Sequence, residues 1–86
     1  MEGRIEEVGR ITHFYPKIGV AVVELKASLK VGEEILIRGA HTSIDQRVDE
    51  MQIEHKLVQS ANTGQSVGLK VKDRVRENDL IFRKPA

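Results

Sequence analysis

Apolar residues fall in short runs bounded by turn residues, and several runs alternate with polar positions at the two-residue period of a half-buried strand. The alternation is cleanest where Val67, Leu69 and Val71 interleave with Gly68, Lys70 and Lys72. An earlier run, Ile5 to Tyr15, has Val8 and Ile11 as core positions, but Gly9 breaks its phase and marks a bulge or a close backbone approach. Pro16-Lys17 then turns the chain into Ile18–Leu25, which is apolar on both faces, as in a central, well-covered strand. Leu29–Glu33 reads as a turn into the strand Glu34–Arg38, which Gly39 closes, and His41-Thr42-Ser43 opens the next. There Ile44 and Val48 share a face with Gln46 between them, and the phase slips before Met51 and Ile53, so a bulge is expected near Asp49-Glu50. Ala61–Gln65 carries turn composition, Leu80-Ile81-Phe82 forms the last strand with Phe82 buried, and Pro85-Ala86 is a frayed tail.

No segment has helical periodicity long enough for a stable helix. The 86 residues make one domain, 1–86, all-β, with about six short strands. So few strands cannot cover two large sheets, whereas a small closed antiparallel barrel hides its edges and needs no helix. Aromatics are only 3% of the chain and tryptophan is absent, so Val, Ile and Leu must build the core.

A net charge of +1 gives no long-range attraction to nucleic acid or membrane. Without cysteine there is neither disulfide nor thiolate ligand, and no apolar run approaches a membrane span. The start of the chain lacks the apolar stretch of a signal peptide, so a cytoplasmic protein without membrane association is expected.

Candidate chemistry is sparse. Ser28, Ser43, Ser60 and Ser66 lie in turn or strand-edge contexts rather than a nucleophile elbow, and His13, His41 and His55 sit on different elements at no metal-ligand spacing. No glycine-rich loop precedes a helix. No catalytic residue, metal site or cofactor is therefore assigned, and the chain is not expected to be an enzyme. One electrostatic feature stands out. If the segment ran as a straight strand, Lys70, Lys72, Arg74 and Arg76 would project from one face about 7 Å apart, a spacing able to follow a phosphate backbone. Asp73, Glu77 and Asp79 partly neutralise it, a turn at Lys72-Asp73-Arg74 would break the face, and a solvated outer face is the plainer reading. Adjacent Phe14 and Tyr15 should point to opposite sides of their strand, leaving one ring to stack a base or fill a partner's pocket.

Phe14–Val23, Leu29–Glu33, Met51–Lys56, Gly64–Val71 and Val75–Ile81 together resemble the C-terminal β-barrel domain of the collagenase-like peptidase family, over nearly the whole chain. That domain is similar to domain 2 of elongation factor Tu and other translational GTPases. The resemblance implies a translation-factor-type barrel carried as an appendage to a larger catalytic domain. It also implies a link to tRNA or rRNA modification, in which several members act. In elongation factor Tu a Glu beside a Met helps hold the terminal adenosine of tRNA; Glu50 and Glu54 are the positions here that could correspond, and neither keeps the spacing to Gly64.

Two functions follow as expectations. The first is a stand-alone module that binds tRNA, rRNA or an RNA-acting partner, with Lys70, Lys72, Arg74, Arg76 and Glu50 as its surface. The alternative is a protein-docking module that supplies in trans the barrel of a collagenase-like peptidase-family protein, anchored by Phe14, Tyr15, Lys17 and Ile18. A monomer or weak homo-oligomer is expected in either case.

Overall fold

The computed structural model describes residues 6–84, so the expectations for Ile5, the chain start and the Pro85-Ala86 tail lie outside the described residues. Among the described residues there are ten strands: β1 (Glu6–Tyr15), β2 (Val20–Leu25), β3 (Leu29–Lys30), β4 (Glu34–Arg38), β5 (Ser43–Arg47), β6 (Met51–Ile53), β7 (Lys56–Val58), β8 (Ser60–Ala61), β9 (Ser66–Lys70) and β10 (Leu80–Arg83). All pair antiparallel. Among the described residues there is no helix, and so none long and apolar enough to cross a membrane.

The all-β expectation holds, but closure and strand count differ. Eight strands form one sheet in the order β5-β4-β10-β1-β2-β9-β6-β7, and β3 and β8 make a separate ribbon. The end strands β5 and β7 do not pair, so the sheet curls as an open half-barrel. The reason lies between Val48 and Met51. In place of a bulge at Asp49-Glu50, the chain leaves β5, which pairs with β4, and enters β6, which pairs with β9 and β7. Leu29-Lys30 and Ser60-Ala61, one read as a turn and the other leading into one, are instead the two strands of the ribbon.

A side chain ties β5 to the end of β9, where no ladder joins the two. Gln46 donates from Nε2 to the Lys70 carbonyl at 3.0 Å, and its Oε1 accepts the Lys72 N–H at 3.0 Å. This explains a polar residue sharing the phase of buried Ile44 and Val48. Gln46→Ala leaves both backbone groups without their partner and should cost about 1–2 kcal/mol in urea denaturation. An unchanged midpoint would mean that the two are held together by other contacts.

Val8 and Ile11 are both fully buried although an odd number of residues apart. Register shifts between Glu7 and Gly9, and again between Ile11 and His13, make that possible by re-aiming the strand. Gly9 serves both expected roles, since a Cβ there would lie 2.7 Å from the Glu24 carbonyl oxygen. The core is aliphatic: Ala21, Val23 and Leu25 of β2, Ile35 and Ile37 of β4, Val67 and Leu69 of β9 and Ile81 of β10 point inward. Phe82 does not join them. It is half-buried on the outer side of β10, opposite Leu36, while its neighbour Ile81 is completely enclosed.

Candidate docking groove

Strand β2 carries apolar residues on both faces because its two faces have different neighbours. Ala21, Val23 and Leu25 enter the core; Val20 and Val22 face outward and stay half-buried. On the next strand Gly68 pairs with Val22 on one side and Gln52 on the other. Having no side chain, it leaves a floor between them, and a Cβ there would stand 3.2 Å from Val20 Cγ1. The result is a groove of about 680 Å³ on the outer face of the sheet.

Its apolar wall is Tyr15, Ile18, Val20 and Val22, and its polar wall is Glu50, Gln52, Glu54 and His55. Tyr15 ends β1 opposite Val20, and the chain then turns with Ile18 and Gly19 N–H groups donating to the Tyr15 carbonyl at 3.3 and 2.9 Å. Gly19 takes φ +68°, which glycine accepts without steric cost. Lys70 Nζ donates to the Ile18 carbonyl at 2.9 Å, fastening this turn to β9. The turn leaves Ile18 58% and Tyr15 47% exposed. The Tyr15 ring meets the His13 ring edge-on, with centroids 4.3 Å apart.

The opposite rim is a tight hairpin. Glu54 and His55 join β6 to β7 with φ of 51° and 66°, the both-positive pattern that favours Asn-Gly. Glutamate and histidine adopt it at a cost, and their composition gives no turn signal, which is why sequence reasoning did not find this hairpin. The double substitution Glu54→Asn, His55→Gly should therefore raise stability by about 1 kcal/mol in thermal unfolding. A lowered melting temperature would show that the native side chains stabilise the turn.

Among the described residues the ion pairs join Arg10 to Glu24, Lys26 to Glu7, Arg38 to Asp45, Arg83 to Glu6 and Glu33, Lys84 to Glu34, and His13 to Glu77 when His13 is protonated. Glu50 and Glu54 take part in none of them. The shifted carboxyl is elsewhere: a hydrogen bond from Arg38 at 2.7 Å holds Asp45 below the ordinary carboxylate range.

The expected site residues are divided by the fold. Tyr15 and Ile18 line the groove and Lys17 is exposed beside them, whereas Phe14 points to the other side and packs against the core. Lys70 and Glu50 also line the groove. Strand β9 ends at Lys70, the chain bends at Lys72-Asp73, and Val75 turns inward, so the straight cationic row does not form. Lys72 and Arg74 instead border a shallow depression of about 280 Å³ with Phe14, and Arg74 and Arg76 another of about 230 Å³ with His41. Among the described residues no group of three or more histidines and carboxylates could hold a metal ion.

No family model matches the chain. It is 44% identical over 77 residues to an uncharacterized protease of Methanocaldococcus jannaschii, covering 88% of this chain and 19% of that protein. It is 36% identical over 78 residues to a collagenase of Porphyromonas gingivalis, covering 88% of this chain and 22% of that one. The chain thus spans about a fifth of the length of the curated relatives it matches. Its fold is that of the C-terminal domain of a Geobacillus thermoleovorans protein classed as a U32 peptidase, with TM-score 0.86 and 21% identity over 92% of each chain. The selenomethionine form of that domain gives TM-score 0.85 and 23% identity, over 92% of this chain and 99% of that one.

Proposed function

From its resemblance to the C-terminal domain of collagenase-like peptidases, we propose that this chain is a non-catalytic docking module for the catalytic region of a protein of that family. The observation that carries this reading is the confinement of the match to about a fifth of each protease- or collagenase-named relative. What the matched segment offers is a surface: a half-barrel with an aromatic and an aliphatic side chain exposed at the lip of a groove. Exposed Tyr beside Ile is the sort of anchor that supplies most of the energy of a small interface. Chemistry needs a nucleophile with a base, or a metal; Ser66 and His55 both line the groove, but among the described residues no hydrogen bond joins them and no metal-holding group occurs. Its reactive side chains are Glu50, Glu54 and His55 on the polar wall and Ser66 and Lys70 on the floor strand.

The test uses the archaeal protease-named relative with its matched segment deleted, mixed with this chain and run by size exclusion with light scattering. A one-to-one complex is expected, weakened by Ile18→Ser, which changes an exposed side chain and leaves the fold intact. Separate elution, with the truncated relative folded by circular dichroism, would remove the proposal.

A further inference from the structure

The two walls of the groove differ in chemistry. One is Tyr15, Ile18, Val20 and Val22; the other carries Glu50 and Glu54, which no ion pair among the described residues compensates. The one lysine in the groove, Lys70, gives an N–H to the Ile18 carbonyl and keeps its charge, so the lining carries two carboxylates against one ammonium. Gly68 keeps the floor open between the walls, and the Glu54-His55 turn adopts a backbone that these residues disfavour, setting Glu54 at the rim. From Ser66 to Lys70 the floor runs about 13 Å, the length of four or five residues of extended chain.

We infer that the groove receives an extended peptide segment in which apolar and basic side chains alternate. Successive side chains of an extended chain point to opposite sides, so one set meets the Tyr15–Val22 wall while the other set places ammonium or guanidinium groups against Glu50 and Glu54. A polyanion is disfavoured in the same place, because its phosphates would approach two carboxylates that outnumber the single ammonium of Lys70. The inference rests on the docking reading and specifies the chemistry of the segment that docks.

The probes are a labelled Val-Lys-Val-Arg-Val peptide, the same peptide with glutamate at both basic positions, and labelled total tRNA, each titrated into the whole chain by fluorescence anisotropy. The basic peptide is expected to bind at least about tenfold more tightly than its acidic counterpart, and more weakly as salt rises. Glu50→Gln with Glu54→Gln should weaken it about fivefold, the effect of losing two rim ion pairs. The Glu54→Asn, His55→Gly variant serves as the fold control, since it is expected to be more stable yet to bind less tightly. Equal binding of the two peptides, no binding of either, or displacement of the basic peptide by tRNA would overturn the inference. If neither peptide binds while the truncated relative still forms its complex through Ile18, the docking reading stands and the assigned chemistry falls. If the basic peptide binds and the relative does not, the docking reading falls instead.

Discussion

Gly9→Ala, a change of one carbon, is expected to destabilise the fold by about 3 kcal/mol. The new Cβ would stand 2.7 Å from the Glu24 carbonyl oxygen and 2.8 Å from Val23 Cγ1, against strand β2 at the centre of the sheet. A flexible side chain could swing away; a backbone carbonyl held in the ladder between β1 and β2 cannot move without breaking it. For a chain of this size the loss corresponds to a fall in melting temperature of about 15 °C. Gly32→Ala and Gly64→Ala make the comparison that isolates the cause. Both positions have open space where a Cβ would go, but φ of +98° and +89°, so only backbone conformation is strained and about 1 kcal/mol is expected. Thermal unfolding by circular dichroism distinguishes them, and a Gly9→Ala variant as stable as the Gly64→Ala one would contradict the close packing of β1 on β2.

Ile81→Ala should cost about 3–4 kcal/mol, and Phe82→Ala only about 1–2 despite removing a larger side chain. Ile81 is completely enclosed on a strand flanked by β4 and β1, so truncation leaves a cavity lined by aliphatic neighbours. Phe82 is half-buried on the opposite face, where solvent fills the space it vacates. The ranking is read by urea denaturation of the two variants. A reversed order would place the phenyl ring in the core and shift the phase of β10 by one residue, as the sequence pattern alone had suggested.

That contrast shows where the sequence was informative. Leu80, Ile81 and Phe82 are all apolar, so no alternation distinguishes the inward one, and the sheet decides it by pairing Ile81 with Ile37. Where polar residues do alternate, as at Val67, Leu69 and Val71, the inward set was legible directly. Gly9 was legible because a glycine inside a strand weakens it and so tends to stand where a bulge or a close backbone requires it. Closure was not: whether β5 meets β7 is a long-range matter, settled when Asp49-Glu50 carries the chain across instead of bulging. Two-residue strands such as β3 and β8 are too short to show any period.

The groove was half legible. Apolar residues on both faces of β2 marked Val20 and Val22, but the pattern reads equally as a strand covered on both sides. One ring of Phe14 and Tyr15 was expected outside, with Lys17 and Ile18 as further anchors, and Glu50 was a candidate for a different reason. What the sequence withheld was their assembly. It depends on Gly68 lying between Val22 and Gln52, and on a hairpin whose Glu54-His55 turn lacks the usual turn residues. The cationic row depended on a straight strand; the bend at Lys72-Asp73, where a turn was the alternative, scatters Lys72, Arg74 and Arg76 around other depressions.

The docking reading is tested most directly by heteronuclear NMR of the isotope-labelled chain titrated with the protease-named relative from which the matched segment has been removed. The expected result is a set of perturbed amides confined to the groove: Tyr15, Ile18, Val20, Gln52, Glu54, Gly68 and Lys70. An unperturbed spectrum, or changes confined to Lys72–Arg76 and His41, would contradict it.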